Sequence, residues 1–88
     1  MPAYCVTYDL RAPGRNYQAL YDRIRQYPGW AKVTESNWIL VTGWTAVQIR
    51  DDLSQYIDAN DRLFVLRSGS EAAWKNSICQ DDWLRSNL

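Results

Sequence analysis

The amino-acid sequence predicts an α+β fold in which helices cover one face of an antiparallel sheet. Segments whose large apolar residues alternate with smaller ones indicate strands, and segments with apolar residues at i, i+3, i+4 and i+7 indicate helices. Turns rich in Pro, Gly, Asn and Asp separate these segments. The chain has 88 residues, a length that suits one hydrophobic core.

The first strand and the first helix are joined by a turn. Residues 3–10 alternate with a period of two, which predicts a strand. Pro13-Gly14 suits the central positions of a type II turn, where glycine supplies a positive φ. Asn16 can cap a helix. The apolar stripe of this helix consists of Tyr17, Leu20, Tyr21 and Ile24.

A hairpin, a second helix and a last strand follow. Residues 31–35 and 38–42 are two short strands joined by a tight turn. Thr45 and Gln48 have the spacing of a capping box, which predicts the start of the second helix. Residues 62–67, "RLFVLR", have the length and composition of a fourth strand.

The predicted order is βαββαβ, the ferredoxin-like arrangement, with a four-stranded antiparallel sheet and two helices on one face. We assign residues 1–69 to this domain and residues 70–88 to an aromatic C-terminal tail that packs on the sheet or on a second protomer. No run of apolar residues is long enough to span a bilayer, so we expect a cytoplasmic protein that has no membrane contact.

The aromatic content predicts a partner or a homodimer, and the uncovered face of the sheet could be closed by a second copy, by the tail or by both. Five Trp, six Tyr and one Phe are more aromatic surface than so small a monomer readily buries. The face of the sheet opposite the helices should carry a share of Trp38, Leu40, Phe64 and Leu66. At about 25 cal/mol per Å² of apolar area, leaving this face in water would forgo much of a domain's stability.

Composition excludes several kinds of chemistry. The chain has no histidine and a formal net charge of zero, so it has neither histidine catalysis nor the excess positive charge of a dedicated nucleic-acid binder. Cys5 and Cys79 lack the spacing of a zinc or redox motif. Eight of the ten cationic residues are arginines, which suit phosphate or carboxylate contacts.

Asp9, at the end of the first strand, is the candidate catalytic and metal-binding residue. Mg²⁺ often binds one or two carboxylates and completes its shell with water and substrate phosphate. Two Asp9 side chains meeting at a two-fold axis would hold one such ion, and Arg11 and Arg15 would bind the flanking phosphates. In the alternative interpretation Asp9 shapes the following turn or pairs with one of these arginines.

Trp30 and Trp44 are candidates for stacking unpaired bases. Each follows or adjoins a glycine-containing turn, where a ring is more readily exposed than in the middle of a strand. Aromatic side chains beside arginine are typical of sites for single-stranded nucleic acid. The alternative is that the tryptophans belong to the core or to a protein interface.

Several motifs resemble a known family. "AYCVTYDL", "TESNWILVTG" and "NDRLFVLR" are similar to the first, third and fourth strands of the small CRISPR-associated proteins of the Cas-two type. The motifs "YDL", "IRD" and "EAAW" resemble a set of short bacterial proteins called SinR-like. The resemblance implies a ferredoxin-like homodimer in which Asp9 is the metal ligand. Some members of the wider family are metal-dependent nucleases. Others act as a dimeric bridge for an integrase and do not cleave nucleic acid.

Two functions are therefore expected. The first is a Cas-two-like homodimer with Mg²⁺-dependent endonuclease activity on RNA, centred on Asp9. The second is a non-catalytic homodimeric interaction module that binds a protein or a nucleic acid without cleaving it, which the neutral charge and the aromatic content favour.

Overall fold

The computed structural model describes residues 1–12 and 14–88. The four strands form one antiparallel sheet in the order β2-β3-β1-β4. The prediction of an α+β chain with a four-stranded antiparallel sheet is confirmed, and the tail adds a third helix. The elements are β1 (Ala3–Asp9), α1 (Gln18–Ile24), β2 (Gly29–Thr34), β3 (Asn37–Val41), α2 (Ala46–Ser54), β4 (Arg62–Arg67) and α3 (Asp81–Asn87).

One side of the sheet, which we call the helix-covered face, meets α1 and α2. Because side chains alternate along a strand, Tyr4, Val6 and Tyr8 of β1 share this side, and all three are buried. Both helices therefore pack on the same face. The buried partners of these residues are Leu20, Ile24, Tyr27, Trp38, Leu40, Ile49 and Leu53.

Trp38 and Leu40 lie on the helix-covered face. The prediction that the opposite face carries a share of these two residues was therefore wrong. The register pairs Val6 with Trp38 and Tyr4 with Leu40, and directly paired residues point to the same side of a sheet. Trp38 is only 1% exposed. Its indole N–H donates a 2.9 Å hydrogen bond to the Tyr8 hydroxyl, which satisfies its one polar group.

The opposite side of the sheet, which we call the open face, carries a smaller cluster. Its buried members are Ala3, Ile39 and Leu84, and Leu84 belongs to α3. The Ile78 N–H donates to the Val33 carbonyl at 2.8 Å, so the tail bonds to β2 before α3 packs on the sheet. Part of the tail, from Trp74 to Leu84, thus packs on the chain's own sheet. The partly buried residues around this cluster are Cys5, Val33, Val41, Trp74, Cys79 and Trp83.

Local signals account for the ends of several elements. The Thr45 hydroxyl accepts from the Gln48 N–H at 3.2 Å, and the Gln48 side chain accepts from the Thr45 N–H at 2.9 Å, which confirms the capping box. Gly14 has a φ of +80°, as the third position of a type II turn requires. Pro13, the other residue of that predicted turn, lies outside the described residues.

Gly29 is required by close packing between β2 and β3. A Cβ atom added at this position would lie 2.8 Å from the Cβ of Val41, which is closer than carbon atoms approach. The absence of a side chain therefore lets the start of β2 pair with the end of β3. As a result β2, the edge strand, can begin a few residues after α1 ends.

Candidate functional site

Asp9 ends β1 on the open face and forms an ion pair with Arg62. The register places the two residues opposite each other on β1 and β4, and the Arg62 Nη1 lies 3.2 Å from the Asp9 Oδ2. Their side chains are 57% and 67% exposed, respectively. An exposed pair of this kind contributes about 0 to 1 kcal/mol. The partner of Asp9 is therefore neither of the arginines suggested by the alternative interpretation of the sequence.

Arg15 is held by the loop before β4. Its guanidinium forms an ion pair with Asp58, donates to the Tyr56 carbonyl at 3.2 Å and lies 5.1 Å from the centre of the Tyr17 ring. Arg11 is exposed, and its backbone N–H donates to Asp61 at 2.6 Å. Within residues 1–12 and 14–88 no hydrogen bond or ion pair joins either arginine to Asp9.

Asp61 organises the loops at this end of the sheet. Its carboxylate accepts from the Arg11 N–H at 2.6 Å, the Asp58 N–H at 2.7 Å and the Tyr17 hydroxyl at 2.8 Å. Burial and this carboxylate both raise the pKa of Tyr17 above its ordinary value. The sequence signal for Asp61 is the turn-forming "DAND" segment, but its contact with the distant loop after β1 has no local signature.

Trp30 and Trp44 are partly exposed, at 40% and 41%, and both adjoin aromatic or cationic side chains. The Arg25 guanidinium lies 5.7 Å from the centre of the Trp30 ring. Trp44 packs edge-on against Tyr27, with ring centres 5.9 Å apart. These contacts leave part of each ring accessible. Trp44 borders a cleft of about 210 Å³ whose other lining residues are Arg23, Gln26, Tyr27, Pro28 and Thr42.

A partly buried carboxylate, that of Asp52, lies beside the Trp44 cleft. The Asp52 carboxylate accepts from Arg23 Nε at 2.8 Å and from the Tyr27 hydroxyl at 2.7 Å. Burial and the hydrogen bond to Asp52 raise the pKa of Tyr27 far above its ordinary value. The ion pair ties α1 to α2, so Arg23 has a structural role at this position.

The open face also carries an apolar strip, Phe64 and Leu66 of β4. These side chains are 59% and 54% exposed and lie opposite Thr7 and Cys5 in the sheet. A groove of about 270 Å³ separates Leu66 from the tail, and Ile39, Trp74 and Leu84 also line it. The tail therefore covers only part of the open face.

No group of three His, Cys, Asp or Glu side chains in the described part of the chain is arranged to hold a metal ion. Asp9 supplies one carboxylate and has a cation beside it, so the residues of a single chain do not fit a resident Mg²⁺. A shared ion would need a second copy.

None of the helices found in residues 1–12 and 14–88 has both the length and the apolar composition needed to cross a membrane. No protein-family model matches the chain, and no solved structure matches it.

Proposed function

We propose that this chain is a homodimeric interaction module that binds a protein partner without cleaving a substrate. The observation that carries the proposal is the apolar strip, Phe64 and Leu66, which remains exposed after the tail has covered the neighbouring part of the open face. A contiguous exposed apolar patch on a protein surface can mark an interaction site. The zero net charge favours a protein over a nucleic acid as the partner.

We assign the fold of the module to the ferredoxin-like class and place the chain near the SinR-like and Cas-two-like proteins. The strand order β2-β3-β1-β4 supports this, because α1 and α2 each connect two strands that have one other strand between them, as in a split βαβ unit. The motif resemblance given by "YDL" and "NDRLFVLR" points the same way.

The groove beside the strip is the proposed site of the protein partner, because the strip itself serves the homodimer. Its volume of about 270 Å³ and its apolar lining from Ile39, Trp74 and Leu84 suit an apolar side chain of another polypeptide. Ligand sites with a mostly apolar lining gain affinity from desolvation. At the other end of the open face, Asp9 and Arg62 form an ion pair, so their charges neutralise each other.

The test combines mass and activity. Light scattering of the wild type should give about twice the chain mass of 10.3 kDa, and Phe64→Glu should give the single-chain mass. Val47→Glu is a matched control because Val47 is 55% exposed on α2, and it should leave the dimer intact. RNA incubated with Mg²⁺ should stay intact. A monomeric wild type, or Mg²⁺-dependent cleavage that Asp9→Ala abolishes, would overturn the proposal.

A Mg²⁺-dependent endoribonuclease is the second candidate. One observation favours it: the Asp9 carboxylate is exposed at the end of β1 on the same face as the apolar strip. A dimer in which two open faces meet would bring a second carboxylate to this face. The cleavage assay above, with EDTA as the control for metal dependence, separates the two functions.

A further inference from the structure

We propose that β4 pairs with β4 of a second copy, antiparallel and with Val65 on the two-fold axis, to form a continuous eight-stranded sheet. This inference rests on the proposed homodimer and specifies its interface. Three features of β4 carry it: its free backbone groups, its exposed side chains and its charges.

The outer edge of β4 offers backbone groups for pairing. The Ser68 N–H donates to the Ala3 carbonyl at 2.8 Å, and hydrogen-bonded residues alternate along an antiparallel pair. Leu66 and Phe64, two and four residues before Ser68, therefore bond inward to β1. Leu63, Val65 and Arg67 direct their N–H and C=O groups outward. In the described part of the sheet β4 has β1 as its only neighbour.

The register centred on Val65 uses all of these groups. Val65 pairs with the partner's Val65, and Leu63 pairs with the partner's Arg67 on either side of the axis. Each of these three pairs exchanges two hydrogen bonds, as hydrogen-bonded pairs of an antiparallel ladder do. An exposed sheet edge with unpaired backbone groups is a ready template for such an addition.

The same register places apolar side chains opposite one another on the open face. Phe64 lies opposite the partner's Leu66, and Leu66 lies opposite the partner's Phe64. These are non-hydrogen-bonded pairs, whose Cβ atoms approach to about 4.5–5.5 Å. The two most exposed apolar residues of β4 would therefore bury part of their surface against each other in two symmetric contacts.

The neighbouring registers are worse. Centred on Phe64, the ladder loses the outward groups of Arg67 and places Arg62 opposite the partner's Leu66. Centred on Leu66, it leaves Phe64 opposite the partner's Ser68. In the register centred on Val65, Arg62 faces the partner's Ser68 and Arg67 faces the partner's Leu63, so no like charges are directly opposed.

This dimer separates the two Asp9 side chains. Asp9 lies opposite Arg62, and Arg62 is three residues from Val65 on the axis. The two Asp9 residues are therefore offset by six residues, or roughly 20 Å, along the strand direction. Three strand spacings add roughly 14 Å across the sheet. A separation of about 25 Å does not allow one shared ion, so this interface favours the non-catalytic module over the nuclease.

Disulfide trapping tests the register. In a Cys5→Ser, Cys79→Ser background, Val65→Cys places two thiols on the axis, where hydrogen-bonded residues have Cα atoms about 5.5 Å apart, within disulfide range. Oxidation should convert most of the protein to a covalent dimer. Val47→Cys, which lies on α2 at a position that is 55% exposed and so more accessible than the partly buried Val65, should remain a single chain. Adding Phe64→Glu to the Val65→Cys chain should abolish the product.

A second pair of variants keeps the test decisive if Val65→Cys fails to fold. Phe64→Cys mixed with Leu66→Cys should form a mixed disulfide much more readily than either variant alone. A wild type that is dimeric by light scattering and gives no product in either experiment would overturn this register and leave the proposed homodimer standing. A monomeric wild type would overturn both.

Discussion

The two faces of the sheet are closed to different degrees. On the helix-covered face, the core side chains are buried, and the indole N–H of Trp38 has a hydroxyl acceptor in Tyr8. At the edge strand β2, a large aromatic side chain of this face, that of Trp30, stays partly exposed. On the open face, the tail buries Ile39 and Leu84 but leaves Phe64 exposed. The first face is largely covered within one chain, whereas the second is covered only near β2 and β3.

This difference separates stability from interaction. Burial on the helix-covered face supplies most of the apolar area removed from water, and that area dominates folding. The exposed end of the open face, at β4, adds little to the stability of one chain and has an unpaired edge next to it. Substitutions on the two faces should therefore differ in size and in kind.

Trp38→Ala should have the largest effect on stability. It removes a fully buried ring and leaves the Tyr8 hydroxyl without its indole donor. Replacing a buried aromatic residue with alanine costs about 3 to 5 kcal/mol. Urea unfolding followed by circular dichroism measures the loss; a cost below about 1 kcal/mol would show that this face is not the main core.

Leu84→Ala should cost less, because the tail can relax around the space that it leaves. Leu84 is the only α3 residue buried in the described part of the chain, and a buried leucine contributes about 2 to 5 kcal/mol. We expect a value near the lower limit, with the helix-covered face intact. Measuring the free energy of unfolding of Leu84→Ala and Trp38→Ala at several protein concentrations ranks the contributions of the two faces to stability. A larger loss for Leu84→Ala would reverse the comparison.

Stability should fall at high pH because of Tyr27. Its pKa is raised by burial and by the hydrogen bond to Asp52, so the folded chain keeps a proton that the unfolded chain loses above about pH 10. The contribution is complete below that pH and is lost at about 1.4 kcal/mol per pH unit as the pH rises toward the folded-state value. Tyr27→Phe should show a shallower loss between about pH 10 and pH 11, measured by urea unfolding. Parallel slopes would contradict this assignment.

Asp9→Ala should have the smallest effect on stability. The residue is exposed, and its contact with Arg62 is a surface ion pair, so we expect less than about 1 kcal/mol and an unchanged mass in light scattering. A loss above about 2 kcal/mol would indicate that the end of β1 is structurally more important than its exposure suggests.

The sequence predicted the strands and the start of α2 because their signals are local. The alternation in β1 identified which side chains share a face, and the spacing of Thr45 and Gln48 identified a helix start. The side of the sheet on which Trp38 lies was harder to predict, because a shift of one residue in the register of a hairpin moves a side chain to the other side of the sheet.

The sequence could not predict the partner of Asp9 or the course of the tail. Arg62 lies 53 residues away along the chain, and the pairing depends on the register between β1 and β4. In the tail, the apolar residues are few and widely spaced, so neither helical nor strand periodicity identifies α3. The contact of Ile78 with Val33 is made by the backbone and leaves no pattern in the sequence.

Amide hydrogen exchange along β4 tests the central claim most directly. Leu66 bonds inward to β1, so its N–H should be protected at every protein concentration. The Val65 N–H points to the outer edge. At concentrations where the dimer forms, we expect its protection to be comparable to that of Leu66, and on dilution we expect it to exchange rapidly. Rapid exchange of Val65 in a sample of dimeric mass would contradict the claim that β4 completes its sheet with a second copy.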